Sequence, residues 1–139
     1  MKNAIRVIAL ALTVAVSLMG CAGAAKGPSD EELIKATLGK WQEALVAKNI
    51  DNIVACYSDE FKDGDGRGKP ELKGFISEAI SAGYLDGIKV SMEGTTTKID
   101  GDKATVTPIG LSGNAGGMSL TLTLGKANGQ WLITSSSEG

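Results

Sequence analysis

The hydrophobic period changes once along this chain, near residue 85, and that change limits the fold more than any single residue does. Before it, apolar residues recur at helical spacing: Ile34, Leu38, Trp41 and Leu45, with Leu33 and Ala44 widening the stripe, and later Leu72, Phe75, Ile76, Ala79 and Ile80. After it the period is two. Ile88, Val90 and Met92 alternate with Lys89, Ser91 and Glu93, and Met118, Leu120, Leu122 and Leu124 alternate with Ser119, Thr121 and Thr123. Helices first and strands afterwards predict an α+β domain with the helices on one face of an antiparallel sheet.

Local signals place the element ends. Ser29-Asp30-Glu31-Glu32 reads as a capping box, and the spacing predicts a helix from Asp30 to Lys48. Asn49 or Asp51 opens a shorter second helix running through Tyr57. Pro70 suits the first turn of a third helix, which Gly83 ends. Asp100-Gly101-Asp102 and Asn128-Gly129 are hairpin turns, and Pro108 argues for an edge strand or a bulge. The expected domain has three helices packed on a curved antiparallel sheet of about four strands.

The first residues follow different rules. Met1 to Arg6 is a short basic segment, and Val7 to Met19 is a mostly apolar run too short to span a bilayer comfortably. The run ends in Leu18-Met19-Gly20-Cys21, which resembles the bacterial lipobox. The resemblance implies a signal peptide over residues 1–20, a lipid thioether on Cys21 and attachment to a membrane of the cell envelope. Thioether chemistry needs the thiol, and two or three acyl chains hold where one is marginal. Ala22 after the cysteine points to the outer membrane, facing the periplasm, if the host is Gram-negative. Residues 21–28 then form the lipidated cysteine and a short tether, and residues 29–139 the domain.

Composition removes several chemistries. Histidine is absent, which excludes Ser-His-Asp and Cys-His arrangements and histidine-bearing zinc sites. Without Lys2 and Arg6, 12 basic side chains face 16 acidic ones, a net charge of −4 with no basic stripe, which disfavours nucleic acid. Cys56 is the one other cysteine. It lies in an apolar stretch and reads as a buried small hydrophobe.

The order of elements over residues 29 to 136 resembles the nuclear-transport-factor-2-like superfamily, also called cystatin-like α+β cone folds. The resemblance is carried by the long first helix with Trp41, by Asn49-Ile50-Asp51-Asn52-Ile53, by Tyr57-Ser58-Asp59-Glu60-Phe61, by Gly68-Lys69-Pro70-Glu71-Leu72 and by the closing Gly129-Gln130-Trp131-Leu132-Ile133. It implies a bent sheet wrapped around the long helix, leaving a conical pocket. Fold alone gives no activity, since members include isomerases, dehydratases and hydrolases beside domains without catalysis.

Three chemistries are open to such a cone. A binding module would use Trp41, Tyr57, Phe61 and Trp131 around a small apolar ligand, with no cofactor or metal, or would meet a protein partner or a second copy through the sheet face bearing Thr105, Thr107, Thr121 and Thr123. A small cone-pocket enzyme would need an acid such as Asp59 beside Tyr57 or Tyr84, and no such pair can be assigned from sequence. Calcium would use Asp63-Gly64-Asp65-Gly66-Arg67-Gly68, which resembles the start of an EF-hand loop. Arg67 stands there where an oxygen ligand belongs, and Gly74 where a glutamate should supply two more. The binding module without catalysis is the preferred expectation. For the anchor, Cys21→Ser is expected to leave an unprocessed precursor that takes up no labelled palmitate; label entering that variant refutes the assignment.

Overall fold

A computed structural model describes residues 27–139. The expected signal peptide, Cys21 and most of the tether lie outside the described residues. Among the described residues, no helix is long and apolar enough to cross a membrane.

Helix α1, Asp30–Val46, begins at the capping box read from sequence: the Glu32 amide donates to Ser29 Oγ at 3.3 Å, and the Ser29 amide donates to Glu32 Oε2 at 2.7 Å. Its stripe of Ile34, Leu38, Trp41, Ala44 and Leu45 is buried. It stops two residues before the expected Lys48, which turns the chain with a positive φ of 54°. Helix α2 is Ile50–Ala55, with the Asn49 side chain accepting from the Asn52 amide. Helix α3 is Lys69–Ser81. Glu71 accepts from the Gly68 amide at its start, and Gly83 follows its end with a φ of 77°. Ile76 and Ala79 are buried on α3, but Phe75, expected in the core, is 57% exposed. The helix rests on a narrow line of residues, and Phe75 falls beyond it.

The sheet has six strands rather than about four, and it is mixed rather than antiparallel: β1 Tyr57–Asp63, β2 Lys89–Ser91, β3 Thr96–Asp100, β4 Lys103–Gly113, β5 Gly116–Ala127 and β6 Gln130–Glu138. One added strand is β1. The second helix ends before Tyr57, and Tyr57–Asp63 pairs in parallel with β6, Tyr57 opposite Ile133 and Asp63 opposite Ser136. The other arises because the expected strand from Ile88 to Ile99 breaks at Gly94, whose φ is 72°. Its halves, β2 and β3, pair with the same side of β4.

Pro108 sits in the gap between those halves, so its missing N–H breaks no pairing; of the two sequence readings, a bulge is what the strand contains. Val106 faces Leu122 while Ile109 faces Leu120, which leaves one extra residue on β4. The extra residue shifts the alternation so that Val106 and Ile109 both point inward, each fully buried. A second extra residue falls on β6, since Thr123 faces Ser135 and Leu124 faces Ile133. The two bulges bend β4, β5 and β6 around α1. Leu122, Leu124, Ile133 and Trp131 then close on Trp41 and Ile34 in one core. On the opposite face Thr107 Oγ1 and Thr121 Oγ1 lie 2.7 Å apart.

The first turn of α1 is pinned to the β5–β6 hairpin. Asp30 Oδ1 accepts from Lys126 Nζ at 2.8 Å and from Trp131 Nε1 at 3.0 Å. One turn on, Thr37 donates to the Trp131 carbonyl at 2.7 Å. Among the described residues, all these elements and their shared core lie within residues 29–139.

Leu122→Ala is expected to lower the unfolding free energy by about 2–5 kcal/mol. Met118→Ala on the same strand, where the side chain is 43% exposed, should cost under about 1 kcal/mol. Urea unfolding measures both. The Asp30 carboxyl is held below its ordinary value of 3.8 by the Lys126 hydrogen bond first and by the Trp131 hydrogen bond second. A carboxyl depressed in the folded state stabilises it fully at neutral pH and loses that effect as pH falls through the folded value. Asp30→Asn is therefore expected to lower Tm more at pH about 7 than at pH about 3, in paired thermal scans; a gap independent of pH contradicts this account of the pin.

Candidate functional site

Bending leaves a cavity of about 610 Å³ between α1, α3 and the inner face of the sheet. Strand register gives its axis. Tyr57 lies level with Ile133 and Leu124, deep in the sheet. Asp63 lies level with Ser136, Leu120 with Glu138, and Met118 further out still. The cavity thus runs from Trp41 and Tyr57 at its inner end to Met118, Phe75 and the Asp63–Arg67 loop at its mouth. Leu45, Leu72, Ile76, Leu111 and Leu120 form the walls between.

The inner end holds one polar pair. Trp41 Nε1 donates to the Tyr57 hydroxyl at 3.0 Å, and Tyr57 is only 6% exposed. Burial pushes the Tyr57 hydroxyl up to about 12, against an opposing pull from the Trp41 hydrogen bond. It therefore stays protonated at any physiological pH. Phe61 stands edge-on to the Tyr57 ring, with centroids 4.8 Å apart, and holds it in place.

The mouth is ionic. Arg67 donates from Nε to Asp63 Oδ2 at 2.7 Å and from its terminal nitrogen to Asp65 Oδ2 at 3.0 Å, and its guanidinium lies 5.6 Å from the centre of the Phe75 ring. The Asp63 carboxyl is raised by desolvation, but the backbone and side-chain hydrogen bonds from Arg67, with the Asp65 amide, outweigh that and hold it below the ordinary range. Both aspartates of the calcium-like sequence are thus occupied by the arginine inside their own loop. Among the described residues, no group of three or more acidic, cysteine or histidine side chains is placed to hold a metal ion.

The four residues expected around a ligand divide between two places. Trp41 and Tyr57 line the cavity. Phe61 is fully buried beneath Tyr57, and Trp131 lies at the closed end, where its indole meets Asp30. Trp131 lines a different depression, of about 720 Å³, between α1, α2 and the β5–β6 turn. Cys56 borders that depression too, but its thiol donates to the Asn52 carbonyl and burial pushes it up, which keeps it protonated. Asp59, the acid an enzyme would need beside a tyrosine, instead points into solvent and pairs with Lys69 Nζ at 2.9 Å. Tyr84 borders the mouth, largely exposed. Arg67, Phe75 and Glu138 also border the cavity; the sequence suggests this for the Gly-rich connection that holds Arg67, but not for Phe75 or Glu138. The one signal for Arg67 itself was its intrusion into an otherwise calcium-like loop.

No protein-family model matches this sequence, and no curated protein sequence does. Solved structures do. One is a protein of unknown function with a cystatin-like fold from Nostoc punctiforme, 16% identical, covering 78% of this chain and 89% of that one, with a TM-score of 0.65. Another is an NTF2-like protein of unknown function from Shewanella oneidensis, 17% identical, covering 79% and 98%, with a TM-score of 0.63. A third is an NTF2-like protein of unknown function from Shewanella baltica, 15% identical, covering 81% and 98%, with a TM-score of 0.62. At such identities the likeness shows the fold alone, and the fold is the one the sequence resembled: an α+β cone of the NTF2-like, cystatin-like kind, with three helices and a curved mixed sheet of six strands.

Proposed function

We propose that this protein is a lipid-anchored module of the cell envelope whose cone takes up a small apolar ligand without transforming it. The observation that carries the reading is the cavity itself. At about 610 Å³ it falls in the usual size range of small-molecule sites, and its walls are aliphatic and aromatic with a single polar pair at the inner end. The anchor rests on the lipobox at Leu18–Cys21.

The state of the ionisable groups supports binding over catalysis. A general base must be free to take a proton near neutral pH. The two aspartates at the mouth are committed to Arg67, and the Tyr57 hydroxyl is far too weak an acid to ionise there. The enzymatic alternative, an isomerase, dehydratase or hydrolase-like cone, would have to bring an acid from the mouth to Tyr57, either Asp63 drawn away from Arg67 or Glu138. A partner protein or a second copy on the Thr107–Thr121 face is compatible with the same module, since that face is opposite the core.

Titration of residues 22–139 with the neutral dye Nile red tests the reading. The expected result is saturable binding with a blue-shifted emission, weakened at least tenfold by Leu120→Trp, which fills the cavity wall. Failure of the wild-type segment to bind, or equal binding by the filled variant, overturns it.

A further inference from the structure

The inner end of the cone holds an unspent hydrogen-bond donor. A tyrosine hydroxyl can accept twice and donate once. In Tyr57 one acceptor site is taken by Trp41 Nε1–H, and among the described residues that is the hydroxyl's one hydrogen-bond partner. The indole has a single N–H and no acceptor nitrogen, so the direction of this bond is fixed: Trp41 gives and Tyr57 receives. The Tyr57 proton is left to donate elsewhere, and the residue lines the cavity. Accepting a hydrogen bond also polarises the hydroxyl and makes it a stronger donor.

From this geometry we infer that the cone selects apolar ligands carrying a neutral oxygen acceptor, such as a ketone, ester or ether, at the end that enters first. The inference rests on the proposal that the cone takes an apolar ligand, and it names the chemistry that such a ligand needs. A carboxylate at the leading end is disfavoured. The one cationic side chain lining the cavity is Arg67, which lies at the mouth and is already bonded to Asp63 and Asp65. A buried carboxylate beside Tyr57 would have no opposite charge to meet. A ligand with no acceptor would instead leave a nearly buried hydroxyl proton dry, which is the costly outcome for a polar group.

Fluorenone and fluorene separate the two cases, since they are rigid, uncharged and close in size but differ by one carbonyl. Nile red displacement from residues 22–139 is expected to show fluorenone binding about tenfold tighter than fluorene, the worth of one net hydrogen bond. Tyr57→Phe should remove that preference from both sides, since fluorenone loses its donor and fluorene no longer strands a hydroxyl proton. Because that variant also strands the Trp41 N–H and is open to misfolding, the infrared carbonyl stretch of fluorenone bound to the wild-type protein gives an independent reading. The stretch should fall below its value in hexane. Equal binding of the two compounds, or an unshifted stretch, overturns the acceptor inference and leaves the apolar cone standing. Failure of both compounds to displace the dye overturns the acceptor inference too, and if Nile red itself does not bind, the parent proposal falls with it.

Discussion

The extra residues near Pro108 on β4 and near Thr134 on β6 are what allow a flat element to enclose a cylindrical one. A regular ladder through Val106 and Ile109 would turn one of them outward, because side chains alternate strictly. With the bulge both point at α1, and so do Leu122 and Leu124 across the ladder. The stripe on α1 can be buried along its length only against such a surface. The core, the cavity and the placement of Tyr57 all follow from that curvature.

Curvature also explains why the core is dry at one end and hollow at the other. Around Ile34, Trp131 and Leu124 the sheet and α1 are close, and the side chains fill the space. Towards Met118 the sheet diverges from α1, and α3 covers the gap with only Ile76 and Ala79 buried. Phe75, Tyr84 and Met118 remain exposed where the layers separate. Closing the gap would need a larger side chain on the inner face of α3, where the sequence places Ala79.

Most of the fold was legible because its signals are local. The Ser29–Glu32 box, the α1 stripe, the Asn128–Gly129 turn and the alternation of residues 118 to 124 each lie within a few neighbouring positions. Strand β1 was not legible. Its buried residues, Tyr57 and Phe61, are four apart, which satisfies the helical period and the strand period equally. Its partner β6 comes from the far end of the chain, where no local pattern points back to it. The cavity was half legible for a similar reason. Aromatic size announces that Trp41, Tyr57, Phe61 and Trp131 are buried, but not on which side of the core. Only the parallel register of β1 turns Tyr57 to the hollow end, and only the pin to Asp30 fixes Trp131 at the closed one.

That pin has a geometric corollary for the whole molecule. The chain enters the domain at Asp30, beside Lys126, whereas the opening lies near Met118, eight residues back along the same strand and up to roughly 26 Å away. The seven residues from Ala22 to Pro28 reach about 23 Å when extended. A lipid on Cys21 would therefore hold the cup by its stem with the bowl turned from the bilayer. On the proposed reading, a ligand would then meet the opening from the aqueous side.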